Sequence, residues 1–251
     1  FRTYDRGNTW TKFRNLSLAQ LYHISYDFEE PYNVFGGLQD NGSWMAPHRV
    51  PGGSIQNKNW EPTGWGDGFW VIRDRADKNI LYFESQGGNA VRRHIATNET
   101  KPIKPYEQPG EMKLRWNWST PLTQSPTNPH RIYMCAQYVF SSSDHGDSWQ
   151  RISPDLTTND SAKFDPQNSG GVTADNTSAE NHCTIVSIAE SPLDEKILWA
   201  GTDDGNLQVT KDGGRTWDLC NTHLPSDIPS GTWVSCVEPG HFTKGTCYVT
   251  F

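Results

Sequence analysis

Positive charge is the scarcer kind in this chain of 251 residues: 22 Lys and Arg stand against 29 Asp and Glu, for a net charge of -7. No basic run of the kind a phosphate backbone needs is present, so a nucleic-acid partner is not expected. No apolar stretch approaches the roughly 18 residues of a membrane span, and the opening FRTYDRGNTW lacks the shape of a signal peptide, so membrane insertion is not expected either. The five cysteines (Cys135, Cys183, Cys220, Cys236 and Cys247) form no CxxC pair, which points away from a zinc site. Nothing in the sequence asks for a cofactor. Cys236 and Cys247 could face each other across a hairpin as a disulfide, with five buried thiols as the alternative.

What is abundant favours strands and turns. Aromatics are 12% of residues, with 11 Trp, beside 22 Gly and 16 Pro; rings pack well on pleated surfaces, while Gly and Pro punctuate turns. The pattern S/T-x-D-x-G-x-S/T-W occurs at Thr3 to Trp10, Ser142 to Trp149 and Thr210 to Trp217. This is the Asp-box pattern, and its chemistry is structural. The Asp bonds nearby backbone amides, the Gly takes a conformation other residues resist, and the Trp packs against a neighbouring sheet. Trp10, Trp149 and Trp217 are therefore expected to be buried between sheets.

A longer repeat of two strands and a turn surrounds these motifs. First strands begin near Gln20, Gly68, Asn117, Cys183 and Thr232, and all but the longer interval from Asn117 to Cys183 lie near the roughly 40 to 50 residues of a four-stranded propeller blade. The reading is all-β: a β-propeller of four-stranded antiparallel blades, about five in this chain. The last would be shared, with the strands around the first Asp-box (Phe1 to Phe13) completing the sheet that holds Thr232 to Phe251. Residues 1–251 then form one propeller domain, or a fragment of a larger ring.

In such a propeller the turns between second and third strands and the links between blades emerge on one face. That places Gln39, Asp40, Asn41, Asp67, Gln86, Arg115, Asn117, Glu180, His182 and Asp203 around one mouth, with several indoles. Carboxylates and amides bond hydroxyls while Trp covers apolar ring faces, which suits a carbohydrate or a peptide ligand. Arg115 could pair with an acidic ligand group or bridge blades through a carboxylate such as Asp67. The alternative to a binding module is a glycoside hydrolase using two of Asp67, Glu180, Asp203 and Asp204, since that chemistry needs a pair of carboxyl groups. No nucleophile elbow, zinc helix or phosphate-cradling loop is present.

GGLQDNGSW (Gly36 to Trp44), GDGF (Gly66 to Phe69), RWNWSTPLTQSPTNP (Arg115 to Pro129), SSDHGDSWQRISPDLTTND (Ser142 to Asp160) and the segment Ala189 to Trp217 together resemble the large bacterial BNR/Asp-box repeat proteins. These are often labelled glycosyl hydrolases and are related to the sortilin/VPS10 propeller superfamily. The resemblance implies a secreted or envelope-associated protein, with further blades or domains of a longer chain before Phe1. It does not imply catalysis, because the Asp-box also occurs in non-enzymatic receptors. The sialidase pattern is not met: FRTY at Phe1 lacks its proline.

Overall fold

The computed structural model describes residues 2–11, 19–164 and 181–251. It is an all-β propeller with four antiparallel four-stranded blades. Blade 1 is β1 (Leu21–Tyr26), β2 (Asn33–Leu38), β3 (Gly42–Pro47) and β4 (Glu61–Gly64). Blade 2 is β5 (Gly68–Arg73), β6 (Ile80–Ser85), β7 (Asn89–His94) and β8 (Thr100–Pro102). Blade 3 is β9 (Leu122–Gln124), β10 (Ile132–Cys135), β11 (Val139–Ser142) and β12 (Gln150–Arg151). Blade 4 is β13 (Ile185–Ser191), β14 (Asp194–Thr202), β15 (Leu207–Thr210) and β16 (Asp218–Leu219). A two-stranded sheet of β17 (Cys236–Pro239) and β18 (Cys247–Thr250) follows. The one α-helix among the described residues is the single turn Ser161–Phe164.

The core lies between blades rather than within them. In β6, Tyr82 joins a cluster with Ile132 and Met134 of blade 3, whereas Leu81 and Phe83 pack with Phe35 of blade 1. In β10, Tyr133 and Cys135 turn instead to Ile188 and Leu198 of blade 4. In β14, Trp199 turns towards Val237 and Val249 of the last hairpin. Alternate side chains of one strand point to opposite faces, so each central strand is a wall shared by two cores. Near the axis the backbones almost touch. A Cβ on Gly37 of β2 would lie 2.3 Å from the Gly68 carbonyl carbon of β5, so only glycine fits there.

The three aspartate turns share one construction. In the turn joining β11 to β12, the Ser142 hydroxyl donates to Asp144 Oδ1 (2.8 Å) and accepts from Gly146 N (2.9 Å), while Ser148 N donates to Asp144 Oδ1 (2.9 Å). The same bonds recur around Asp5 and around Asp212, in the turn joining β15 to β16. Hydrogen bonds hold Asp5 and Asp212 down to about 2, and hold Asp144 there against a partial desolvation that acts to raise it. The Trp149 indole donates to Ile103 O (2.7 Å) beyond β8, and that of Trp217 to Ile152 O (3.1 Å) beyond β12. Each thus clamps its blade to the outer edge of the preceding one.

Two expectations need correction. Trp10 is 61% exposed rather than buried, because among the described residues no outer edge of another blade lies against its turn. Cys236 and Cys247 do not face each other: Cys236 pairs with Thr250 and Cys247 with Pro239, and all five cysteines are free. Of the expected fifth, shared blade, only the two-stranded sheet of β17 and β18 is found among the described residues. Arg2 bridges Thr11 within its own turn, and no ladder among the described residues joins it to that sheet; Phe1, Lys12 and Phe13 lie outside them.

Candidate functional site

The tight turn between β2 and β3, with Asp40 at φ 59°, presents its amide to the blade 1–2 link. Asp40 N donates to Asp67 Oδ1 (2.6 Å), and Asp67 N donates to Gln86 Oε1 (2.9 Å) in the β6–β7 turn. Together with Asn41 and Trp65 these residues line an open shelf of about 430 Å³. Its polar atoms are only partly engaged. Among the described residues nothing donates to the Asp40 carboxylate or to Asp67 Oδ2, and nothing accepts from Gln86 Nε2. Trp65, 56% exposed, is held edge-on by Phe83 (centroids 4.8 Å apart, 78° between planes). Gln39 is exposed beside the shelf, its carbonyl accepting from Asn41 Nδ2 (2.9 Å).

A second group of the expected residues forms a buried web between blades 3 and 4. Arg115 donates from Nε to Cys183 O (3.0 Å) and from Nη2 to Asp155 Oδ2 (2.7 Å) and Thr157 Oγ1 (3.1 Å), so its bridging carboxylate is Asp155 and not Asp67. Asn117 donates to Thr184 Oγ1 (2.9 Å). Thr184 in turn donates from N and Oγ1 to Asp203, which is fully buried. Burial holds the Asp203 carboxyl above its ordinary value, against those hydrogen bonds. Asp204 is buried too, accepting from Thr202 Oγ1, Thr158 N and Thr158 Oγ1. Glu180 lies outside the described residues.

Half-buried His182 sits beside Cys183, with Nδ1 3.7 Å from the sulfur, and the two share a cluster with Asp204. Cysteine spacing gave no sign of such a cluster, because two donors are adjacent in sequence and the third comes from the β14–β15 turn.

Sequence reasoning also missed Trp65, although WGDG, an indole beside a Gly-Asp turn, carries the signal. It missed a cleft of about 480 Å³ on the opposite face, lined by residues that include Asp27, Phe28, Trp70, Arg73 and Arg75. The charges there are internally engaged: Arg73 pairs with Asp27 (2.7 Å), and Arg75 donates to the carbonyls of Ser125 (3.2 Å) and Pro126 (3.1 Å).

No family model matches the chain. Over 190 residues it is 26% identical to a "probable oligoxyloglucan-reducing end-specific xyloglucanase" of Neosartorya fischeri, covering 74% of this chain and 22% of that protein. Against the oligoxyloglucan-reducing end-specific xyloglucanase of Emericella nidulans it is 25% identical, covering 71% of this chain and 21% of the other. The chain thus spans about a fifth of the length of these curated relatives. The GH74 xyloglucanase of Xanthomonas campestris superposes with a TM-score of 0.51 at 13% identity, covering 86% of this chain and 33% of that one. The chain therefore has a propeller fold with xyloglucanases among its structural neighbours.

Proposed function

We propose that this propeller is a binding module for a neutral carbohydrate chain, seated on the shelf of Asp40, Asn41, Trp65, Asp67 and Gln86. The observation that carries the reading is the pairing of an exposed, propped indole with unengaged carboxylate and amide groups. A pyranose offers an apolar face to the ring and a rim of hydroxyls to the polar atoms. The xyloglucanase relatives support a glycan over a peptide. So does the engagement of Arg115, which leaves the described residues of the site without the cation an acidic ligand would select. The BNR/Asp-box resemblance supports a place outside the cell or at its envelope.

Hydrolysis is the second reading, favoured by those same relatives. Asp203 and Asp204 are buried and hydrogen-bonded, so among the described candidates it rests on Asp67, with Asp40 beside it. Titration with xyloglucan and cello-oligosaccharides, monitored by calorimetry and product analysis, separates the readings. Saturable binding without turnover is expected, weakened about tenfold, or roughly 1.4 kcal/mol, by Trp65→Ala at an unchanged melting temperature. Turnover lost in Asp67→Asn would replace binding by hydrolysis, and affinity indifferent to both substitutions would remove the shelf from the function.

A further inference from the structure

The cluster at the blade 3–4 junction has the chemistry of a metal site. His182 and Cys183 lead into β13, and Asp204 sits in the turn after β14; a nitrogen, a sulfur and a carboxylate oxygen from them all lie within 4.8 Å of one another. A zinc ion bonded to sulfur at about 2.3 Å and to nitrogen at about 2.0 to 2.1 Å, with a tetrahedral angle between, requires those donors about 3.6 Å apart. Cys183 Sγ and His182 Nδ1 are 3.7 Å apart.

The backbone and the surrounding groups favour the same arrangement. Cys183 has φ 58°, a left-handed conformation that non-glycine residues adopt at a cost, and here it brings adjacent side chains to one point. The surroundings hold the other donors in place. Thr202 Oγ1 bonds one Asp204 oxygen and Thr158 bonds the other, as outer-shell partners orient a ligating carboxylate. Arg115, bonded to the Cys183 carbonyl, has its charge matched by Asp155 at 2.7 Å, so it does not oppose a cation. A Cys–His nucleophile is the other chemistry such a pair could serve, but a reactive thiolate needs access and Cys183 is fully buried.

We propose that His182, Cys183 and Asp204 hold a zinc ion as imidazole, thiolate and carboxylate ligands, with water in the fourth position. Binding displaces the thiol proton to solvent as the Zn–S bond forms. The ion ties the blade 3–4 link to the β14–β15 turn, and soft sulfur with imidazole selects zinc over calcium or magnesium. This site is independent of the carbohydrate shelf.

Chelator-treated protein titrated with cobalt(II), then displaced by zinc, tests the proposal. One equivalent of cobalt should give a thiolate charge-transfer band with four-coordinate visible bands, and zinc should abolish both and raise the melting temperature. Cys183→Ser should remove the charge-transfer band. His182→Gln, at a half-buried position, should weaken zinc by more than the roughly 10- to 100-fold that loss of an outer-shell partner costs. Failure to take up one equivalent of cobalt overturns the proposal. So does a band that survives Cys183→Ser and disappears with Cys220→Ser or Cys247→Ser.

Discussion

Glu84 shows how much a single side chain can hide within a strand. It is fully buried on β6, with Oε1 accepting from Gly88 N (3.2 Å) and Oε2 without a hydrogen bond among the described residues. Burial raises its carboxyl well above the ordinary 4.5, so folding favours its neutral form. A folded value above the unfolded one gives stability that is complete below about 4.5 and declines as pH rises towards the folded value, because only the unfolded chain then ionises. Glu84→Gln removes that dependence. Urea midpoints should match the parent near pH 4 and exceed it at pH 8; a uniform loss of stability would show that the carboxylate is ionised and needed. At this scale the sequence was least informative. Asp40, Asp67 and Gln86 could be placed on one face by counting turns, but burial separates them from Arg115, Asn117, Asp203 and Asp204, and no spacing rule reports burial.

Among the elements, the aspartate turns were the most legible. Their bonds are local, joining residues two to four apart, so eight letters specify them. What each Trp touches is not local, and there the expectation failed for Trp10. The contrast makes a paired test. Trp149→Ala loses the bond to Ile103 O and the packing between blades 2 and 3, and should cost roughly 1 to 3 kcal/mol in chemical denaturation. Trp10→Ala should stay within about 0.5 kcal/mol of the parent, as exposed substitutions do. Equal losses would mean that the indoles act through their own turns rather than across blades. Strand β9 was the least accurate element: a strand expected from Asn117 begins only at Leu122, because Asn117 and Thr120 are engaged in the side-chain bonds of the interblade link.

For the whole molecule, cores placed between consecutive blades make stability a nearest-neighbour property. β17 and β18 pack on blade 4 but have no third strand among the described residues, and Tyr248 and Cys236 face solvent. Native-state hydrogen exchange should therefore release amides of β17–β18 well before those of β14; matching protection would show that the arc opens as one unit. The blade repeat was visible in the sequence because it depends on strand length and turn chemistry, whereas the aspect of each wall depends on which neighbour it meets. That double wall also changes how errors of alignment are punished. In a sheet with one wet face, slipping a strand by one residue turns its apolar set into water. Here a slip of β6 would exchange Tyr82 for Leu81 or Phe83 and merely trade one greasy neighbour for another, so hydrophobicity cannot proofread it. The task of keeping strands in step passes to the turns, which makes their buried hydroxyls and low-lying carboxylates the bookmarks of the fold.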